Sequence, residues 1–500
     1  MVQTAMVRTA MVLSRNSLLF SHLLPRSSSS NLAMQIRWQQ PAIVQAGIDQ
    51  TRLTIADEPT GTVPFSFAVM GDTDAGSRDS KTSSSFSKAF SKQLLTASAD
   101  CRFLLHTGDV TYPTGSYENY LNGFLRPYQA LLCGLPISPD RAREIVFKTP
   151  LLPVPGNHDY AEAAGLRGIL ARLVRVMCDR LRQTLNIDLG HYGGEGGEAY
   201  GRIFLDHLSS LSTDQLAAHL AAHYHDFSEK TDAHQPGKLS LNYRPGHFTR
   251  LPNRYYTFHY AGIDFFALDS NTWNSAPEDA GFDDEQLAWL EHQLICSWRS
   301  PNVIGRVIYL HHSPYTTEAS RWQQSETLWV RRHLRTVLDK VVTRTGQQKD
   351  LQRRVPLVDL VLSGHAHCLE HLKTGDTGHA DSYTDWIVCG GSGANVRYRR
   401  QSDTVEILET VSRRGRQYPG VVAKSMFYAG AHERRGRQQR LHSFIRIDVT
   451  PGSRRLFKVV PFVVTRNVRN SGANAVGVCE DWQTETGSAF HLGSRVLSVR

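Results

Sequence analysis

The sequence predicts an α/β fold with a largely parallel central sheet. From about residue 64, short apolar runs each stop at polar residues: FSFAVM precedes GDTD, CRFLLH precedes TGDVTY, LLPVP precedes GNHD, RVIYLH precedes HSPY and VDLVLS precedes GHAH. Runs of this length, rich in Val, Ile, Leu and Phe, are typical of buried strands. Helical patterns lie between several of them, at residues 85–98 and 283–297. Strands that alternate with helices indicate an α/β fold.

The composition is that of a globular protein. Hydrophobic residues make up 40% and charged residues 21% of the chain. No apolar run approaches the roughly 20 residues that cross a bilayer, so we expect no membrane span. The formal net charge of +9 favours phosphate-bearing ligands, without separating a nucleic acid from a small anion. The arginine clusters at 413–418 and 432–440 have no aromatic residues interleaved in a stacking pattern, which favours solvated loops over an RNA-binding patch.

The chain divides into a leader, residues 1–62, and a large catalytic domain, residues 63–500. Residues 1–48 contain four Arg and no Asp or Glu, together with a serine run. This pattern is typical of an organelle transit peptide, although the near-repeat TAMVRTAMV could equally be sequence upstream of the true start. The seven cysteines form no CxxC pair, which favours reduced thiols. We therefore expect a cytoplasmic protein, or an organelle-matrix protein if the leader is a transit peptide.

Two further segments stand out in the predicted catalytic domain. Residues of about 161–250 interrupt the alternation of strands and helices, and we interpret them as a largely helical insertion that overhangs the active site. Its histidines 219, 223 and 225 could ligate a metal, but no carboxylate or cysteine spacing supports that, so a helix surface is favoured. Residues of about 442–465 predict a β-hairpin around TPGS that adds strands to a second sheet.

Polar side chains follow five predicted strands directly. In an α/β sheet, ligands bind beyond the carboxyl ends of the strands, so these side chains could converge on one edge. Carboxylate, imidazole, amide and phenol groups together suit iron, manganese or zinc. The set is too large for one small ion and fits two ions roughly 3.5–4 Å apart that share a carboxylate. The candidates are Asp72, Asp109, Tyr112, Asn157, His311, His312, His365 and His367, with His158 beside them.

The series GD, GDxxY, GNHD, H and GHxH resembles the calcineurin-like metallophosphoesterase superfamily, and the run from Asp109 to Tyr112 resembles its purple acid phosphatase branch. The resemblance covers roughly residues 64–395. It implies a four-layer α-β-β-α sandwich, with two mixed sheets flanked by helices. It also implies two metal sites. Asp72, Asp109, Tyr112 and His367 would hold the first ion, with Asp109 bridging, and Asn157, His365 and one histidine of LHHSPY would hold the second.

The resemblance implies a ferric ion beside Tyr112. A buried tyrosine next to a trivalent ion loses its hydroxyl proton readily, and the hard anionic oxygen that results favours Fe(III) over divalent ions. The expected cofactors are two metal ions, Fe(III) with Fe(II), Zn(II) or Mn(II); the alternative is that Tyr112 only packs beside the site. The chain departs from the wider superfamily at Asp74, where many members have a ligand histidine. Asp74 could be an extra ligand, a loop cap or, as we favour, an acceptor for a ligand histidine.

The histidine pair leaves two alternatives. The His-x-Pro spacing selects His312, whereas the spacing to Tyr315 and the closeness to the strand select His311, which we take as the ligand. Glu370 follows the GHAH loop and in the resembling branch supports it; an exposed loop carboxylate is the other possibility.

Two residues of GNHD are the predicted catalytic pair. The resemblance places His158 against the substrate phosphate, as proton donor or transition-state stabiliser. Asp159 could orient the His158 imidazole through a hydrogen bond, or be an exposed loop carboxylate.

These residues predict metal-dependent hydrolysis of phosphate esters by a metal-bound hydroxide at a dinuclear centre. No GxSxG or Cys-x5-Arg motif is present, so no serine or cysteine nucleophile is expected. The expected substrate is a phosphorylated small molecule, most directly a phosphomonoester, as in acid phosphatases. The alternatives are a phosphodiesterase or nucleotide pyrophosphatase of the same superfamily and, from another class, a noncatalytic phosphate-binding scaffold. The sequence does not determine the oligomeric state.

Overall fold

The computed structural model covers the predicted catalytic domain except for several segments. It describes residues 43, 45–73, 80–134, 142, 144–160, 197–208, 211–227, 238–279, 282–393, 395–400, 405–413, 416–434, 437–451, 456–468, 480–486 and 490–492. Most of the predicted leader and residues 161–196 of the predicted insertion lie outside these ranges. Within them, no helix has the length and apolar composition needed to span a membrane.

Twenty strands are present among the described residues. In chain order they are β1 Ile48–Ile55, β2 Phe65–Met70, β3 Leu104–His106, β4 Leu151–Pro153, β5 Tyr224–Phe227, β6 Lys238–Tyr243, β7 Tyr256–Tyr260, β8 Ile263–Ala267, β9 Gly305–Leu310, β10 Leu360–Ser363, β11 Leu369–Thr374, β12 Asp385–Cys389, β13 Glu406–Arg413, β14 Arg416–Ala429, β15 Ala431–Arg434, β16 Arg437–Arg440, β17 His442–Thr450, β18 Leu456–Val468, β19 Glu480–Thr486 and β20 Phe490–Leu492.

Helices alternate with these strands. The α-helices of the described residues are Ser80–Ala97, Tyr117–Asn119, Asn157–Tyr160, Glu198–Phe204, Thr213–His223, Asp284–Arg299, Ser325–Thr345 and Gln348–Gln352. A π-helical turn covers Tyr120–Leu125, and 3-10 turns cover Gln129–Leu131 and Ser270–Thr272. Asp283 caps the N-terminus of Asp284–Arg299 by accepting a hydrogen bond from the Gln286 amide, a common way to satisfy a free amide of the first turn.

Two mixed sheets form the centre of the molecule. The larger has eleven strands in the order β13-β14-β11-β12-β10-β9-β8-β7-β1-β6-β5, and the smaller has seven, β19-β18-β17-β2-β3-β4 with β20 beside β18. Each contains a parallel segment: β8, β9, β10 and β12 in the larger sheet, and β2, β3 and β4 in the smaller. The predicted architecture of two mixed sheets flanked by helices is confirmed. In the larger sheet β1 is also parallel to its neighbours β6 and β7. The expectation of a largely parallel sheet therefore holds only for these segments, and the remaining strand pairs are antiparallel.

The two sheets pack face to face through aromatic side chains. Phe103, which precedes β3, stacks 5.3 Å from Phe67 of β2 and makes edge contacts with Phe258 of β7 and Phe265 of β8, at ring distances of 5.5 and 5.3 Å. All four are buried. Burial of such rings is worth about 1.5–3 kcal/mol each, and edge-to-face pairs add to that, so this layer holds the sheets together.

The larger sheet has a second apolar face, covered by helices. In β9, Val307 and Tyr309 pack between the sheets, whereas Ile308 and Leu310 pack against the helices Asp284–Arg299 and Ser325–Thr345. Because side chains alternate along a strand, a strand buried on both faces reads as a continuous apolar run. This explains the run RVIYLH in the sequence.

Two sequence-based boundaries need correction. Residues 48–55, assigned to the leader, form β1 in the larger sheet, because Leu53 and Ile55 alternate with polar residues and are buried there. The described part of the predicted insertion is not only helical: β5 and β6 extend the same sheet beside β1. The apolar and polar alternation of KLSLNY is a strand pattern. The predicted hairpin is present, as β17 and β18 in the smaller sheet.

Candidate metal centre

The candidate metal centre lies where five strands end. In the smaller sheet, Asp72 follows β2, Asp109 follows β3 and Asn157 follows β4; in the larger sheet, His311 follows β9 and His365 follows β10. The strands of each group are parallel, so their carboxyl ends share one rim. The two rims face each other across the packed sheets, and the site is built from both.

Close packing of the loops explains the glycines that precede Asp109 and Asn157. Gly108 has a φ of +90°, and a Cβ there would lie 2.7 Å from His311 Nδ1. A Cβ on Gly156 would lie 2.2 Å from the Asp109 backbone nitrogen. Only a residue without a side chain allows these approaches. The GD and GN pairs are therefore required by the contact between loops as well as by the polar residue that follows.

Three candidate ligands have left-handed backbones. The φ angles of Asp72, Asp109 and His365 are +55°, +51° and +66°. Such values are uncommon for residues other than glycine and persist where surrounding contacts hold them. Here the Asp72 amide donates to the Gly108 carbonyl at 3.0 Å, and the Thr73 amide donates to the Asp109 carbonyl at 3.2 Å. These bonds lock the loops after β2 and β3 together.

One group of donor atoms surrounds the Tyr112 hydroxyl. It lies 2.7 Å from both Asp72 Oδ1 and Asp109 Oδ2, and His367 Nε2 lies 3.3 Å away. Burial and the two carboxylates raise the pKa of Tyr112 well above its usual value. A hydroxyl has one proton and can donate to only one carboxylate at a time. His367 Nδ1 is 3.1 Å from the Asn395 carbonyl, which leaves the lone pair of a neutral ring on Nε2.

A second group surrounds the Asn157 side chain. Asn157 Oδ1 lies 3.0 Å from His311 Nε2 and 3.1 Å from His365 Nδ1, and these two nitrogens are 3.2 Å apart. His311 Nδ1 is 2.9 Å from the Thr107 carbonyl, an acceptor, so a neutral ring would carry its lone pair on Nε2. Three possible ligand atoms thus converge in a largely buried space, an arrangement that suits a cation.

Asp109 touches both groups. Oδ2 contacts Tyr112 and is 3.5 Å from His311 Nε2, while Oδ1 accepts a hydrogen bond of 2.8 Å from the His158 amide. Burial by itself would raise the pKa of Asp109, but His311, His158 and the hydrogen bonds outweigh it and hold the pKa well below its usual value. In turn, Asp109 raises the pKa of the buried His311 above its usual value despite the opposing effect of burial.

The expected contact between Asp159 and the His158 ring needs correction. His158 Nδ1 lies 2.8 Å from the Pro113 carbonyl. Asp159 is fully buried and accepts hydrogen bonds from the Gly156 amide at 2.8 Å and the Tyr120 hydroxyl at 2.6 Å. Burial raises the pKa of Asp159 above its usual value. The Asp159 carboxylate therefore points into the protein core, where its hydrogen bonds hold the GNHD loop in place.

His311 is the member of the histidine pair that faces Asn157. His312 is turned away, with Nδ1 2.8 Å from Ser270 Oγ and Nε2 3.2 Å from Asn274 Nδ2. Burial lowers the pKa of His312 well below its usual value. Its ring still packs 4.5 Å from that of His365, so it belongs to the wall of the site.

A buried histidine that the sequence analysis did not single out braces two of the loops. His106, the last residue of β3, accepts a hydrogen bond at Nδ1 from the Gly108 amide at 3.2 Å, and Nε2 is 3.0 Å from Thr73 Oγ1. Thr73 Oγ1 donates in turn to the Val110 carbonyl at 2.9 Å. Burial lowers the pKa of His106 to about 3. The one feature of the sequence that could have indicated this role is that a histidine ends the apolar run CRFLLH.

Glu370 supports the loop that follows the histidine pair. It is fully buried, and it accepts hydrogen bonds from the Thr316 hydroxyl at 2.8 Å and from the Thr317 amide at 2.9 Å. Burial raises the pKa of Glu370 above its usual value. Asp74, the departure from the superfamily pattern, lies outside the described residues.

The residues fit a pair of hard or borderline metal ions. The possible ligand atoms form two groups, and within each group all atoms lie within 4.8 Å of one another. One group is Asp72, Asp109 and His311, and the other is His311, His312 and His365. Carboxylates, neutral imidazoles, an amide oxygen and a phenol are the donors that iron, zinc and manganese accept. Every predicted ligand, namely Asp72, Asp109, Tyr112, Asn157, His311, His365 and His367, lies in this cluster, and all but the half-buried Asn157 are buried.

The fold and the site together are those of a metallophosphoesterase. The family model for calcineurin-like phosphoesterases matches residues 65–369, which is more than half of the chain. The chain belongs to this family.

Comparison with solved structures gives distant similarities. A purple acid phosphatase, PPD1, from seeds of yellow lupin (Lupinus luteus) is 14% identical with a TM-score of 0.44, and the match covers 81% of this chain and 53% of the lupin chain. GAP50, the anchor in the inner membrane complex of Plasmodium, is 12% identical with a TM-score of 0.38, and covers 80% of this chain and 84% of its own. The chain thus spans about half the length of the lupin protein. Comparison with curated proteins finds no match.

Proposed function

We propose that the protein hydrolyses phosphate esters at a dinuclear metal centre. The observation that carries this proposal is the convergence of His311 Nε2, His365 Nδ1 and Asn157 Oδ1, each 3.0–3.2 Å from the others, next to the Asp109 carboxylate. Two imidazole nitrogens and an amide oxygen that converge this closely beside a carboxylate form a donor set that suits a cation such as zinc, iron or manganese. Membership of a phosphoesterase family supports the same chemistry.

We assign the donors to two ions. Asp72, Tyr112 and His367 would hold the first and Asn157, His311 and His365 the second, with Asp109 shared between them. Two bound ions would supply a water of lowered pKa and neutralise charge on the phosphate oxygens. Iron with iron, zinc or manganese is the proposed pair, because the Tyr112 hydroxyl between two carboxylates suits a phenolate ligand to ferric iron.

His158 is the proposed proton donor. Its Nδ1 is directed at the Pro113 carbonyl, and its Nε2 is 4.0 Å from Asp109 Oδ2 on the side of the site. The Tyr112 ring packs 4.3 Å from the imidazole and fixes its plane. A protonated His158 would therefore present its Nε2 proton towards the leaving-group oxygen. Asp159 contributes by holding the loop that carries Asn157 and His158, through its bond to the Gly156 amide.

The proposed substrates are phosphomonoesters of small molecules. The GDxxY motif, which carries the resemblance to purple acid phosphatases, supports this choice over a phosphodiesterase or a nucleotide pyrophosphatase. The test is to measure bound iron, zinc and manganese in the purified protein and to compare hydrolysis of p-nitrophenyl phosphate and bis-p-nitrophenyl phosphate. We expect about two ions per chain and faster hydrolysis of the monoester.

The same assay separates the alternatives. Faster hydrolysis of the diester than of the monoester would indicate that the protein is a phosphodiesterase. A protein that binds no metal and hydrolyses neither substrate after metal reconstitution would instead be interpreted as a noncatalytic phosphate-binding scaffold. A matched control is Asp284→Asn, an exposed carboxylate in the first turn of the helix Asp284–Arg299, which should leave metal content and activity unchanged.

A further inference from the structure

A carboxylate from outside the strand-end loops reaches the far side of His365. Glu326 lies in the first turn of the helix Ser325–Thr345, and its Oε2 is 3.4 Å from His365 Nε2. The same oxygen is 4.0 Å from His312 Nε2. The His365 side chain is 2% exposed and that of Glu326 is 36% exposed, so the helix places a half-exposed charge against a buried ring.

The three candidate ligand histidines differ in what holds their second nitrogen. His311 Nδ1 faces the Thr107 carbonyl and His367 Nδ1 faces the Asn395 carbonyl, at 2.9 and 3.1 Å. Both acceptors are neutral backbone groups. His365 Nε2 faces the Glu326 carboxylate, a charged group on a side chain, in an ionic contact of 3.4 Å rather than a hydrogen bond.

We propose that Glu326 is a positioning residue for His365. A proton on Nε2 is stabilised by the carboxylate, and in the neutral ring this leaves the lone pair on Nδ1, the atom that faces Asn157 and His311. A carboxylate behind a ligand histidine also makes that histidine a more basic ligand. The inference rests on the proposed metal centre and adds a helix to its supporting structure.

His312 completes the support. Its backbone amide donates to Ser270 Oγ at 3.0 Å, and its ring packs 4.5 Å from that of His365. Because His312 is fully buried, its ring restricts rotation of the His365 ring, while Glu326 contacts the Nε2 atom at the ring edge. The carboxylate therefore meets a ring that has little freedom to turn.

The first experiment measures metal affinity by chelator competition in the full-length protein, with zinc as the probe. Glu326→Ala should weaken binding at the site of His365 by about 10- to 100-fold, the range seen when such outer partners are removed. Glu326→Gln keeps an oxygen acceptor and should lose less. The control Asp284→Asn removes a carboxylate from the first turn of the neighbouring long helix and should leave zinc affinity unchanged.

The second readout is the tautomer of His365, observed by long-range proton–nitrogen NMR on histidine-labelled, metal-free protein and assigned with His365→Gln. We expect Nε2 to carry the proton in the wild type, and a tautomer mixture in Glu326→Ala. A purely structural role for Glu326 would lower stability without this change.

The outcomes are distinct. Wild-type protein that binds zinc, with Glu326→Ala matching Asp284→Asn in zinc affinity and tautomer, would overturn the role of Glu326 and leave the metal centre intact. A wild-type protein that binds no metal would remove the proposed function, and the positioning role with it.

Discussion

Asp109 is the residue on which the proposed centre depends most, because it contacts both groups of donor atoms, through Tyr112 in the first and His311 in the second. Its carboxylate stays ionised in a buried position because neighbouring histidines and hydrogen bonds favour the charge. Asp159, in the loop after β4, is equally buried, but burial raises the pKa of its carboxyl to about 7. The pKa of the same side chain is thus shifted in opposite directions at two positions.

Substituting the two carboxylates should separate their roles. Asp109→Asn removes the shared anionic oxygens, so we expect loss of at least one metal ion and a fall in activity of 10²-fold or more, on the order of 3 kcal/mol. Asp159→Asn mimics a neutral acid and should retain both ions. Metal analysis and turnover of p-nitrophenyl phosphate check this, and equal metal loss in both variants would refute the distinction.

His158→Ala should behave differently from Asp109→Asn. The His158 ring lies beside the donor groups, with Nε2 4.0 Å from Asp109 Oδ2, so its removal should lower turnover by about 10²- to 10⁴-fold while metal content is retained. Metal analysis alongside steady-state kinetics is the measurement. Loss of metal in His158→Ala would assign it a structural part in the centre.

Tyr112→Phe tests the ferric site. If the phenolate binds ferric iron, the wild-type protein should show a visible charge-transfer band that disappears in the variant. Absorption spectra recorded after iron reconstitution provide the measurement. A colourless wild-type protein holding only divalent ions would contradict the ferric assignment and leave the hydrolytic proposal standing.

At the scale of elements, β3 and its following loop depend on a neutral histidine. His106 accepts from the Gly108 amide and contacts Thr73, so it links the loops that carry Asp109 and Asp72. Protonation would place a second N–H against the Gly108 amide. The imidazole therefore works as a neutral brace, and the low pKa follows from its complete burial.

This brace predicts a pH dependence of stability. The folded pKa of His106 is about 3, below the ordinary value of 6.5, so the unfolded chain takes up a proton first as the pH falls. The contribution of neutral His106 to the free energy of unfolding is fully present above pH 6.5. It is lost between pH 6.5 and about 3, by up to ~1.4 kcal/mol per pH unit. His106→Gln should show a shallower loss in urea unfolding across this range. The control is His247→Gln, at an exposed position; an unchanged slope in His106→Gln would exclude the brace.

At the scale of the molecule, the centre joins two sheets. Its donors come from the ends of β2, β3 and β4 on one side and of β9 and β10 on the other. Metal binding should therefore stabilise the whole fold, by about 2.7 kcal/mol at a free metal concentration 100 times the dissociation constant. Thermal unfolding with and without a chelator measures this, and Asp109→Asn should show a smaller difference. An unchanged transition would place the ions outside the junction of the sheets.

The aromatic layer between the sheets is the second connection. Phe103→Ala removes contacts with Phe67, Phe258 and Phe265 and should lower the free energy of unfolding by about 3–5 kcal/mol. Urea denaturation checks this value. Leu408→Ala, at a position 60% exposed, is the control and should change the free energy of unfolding by less than about 0.5 kcal/mol.

The strand-end motifs, the α/β class and the family could be predicted from the sequence, because those features are local: a short apolar run, a glycine and the polar residue after it. Three features of the site needed the folded chain: which nitrogen of each histidine faces the donors, that His311 faces Asn157 and that Asp159 points into the core. The tertiary structure also decided that Glu326, more than ten residues after His311, meets His365, and that residues 48–55 belong to the sheet. These contacts join segments far apart in the chain, and side-chain direction at such contacts follows from packing, which no local pattern encodes.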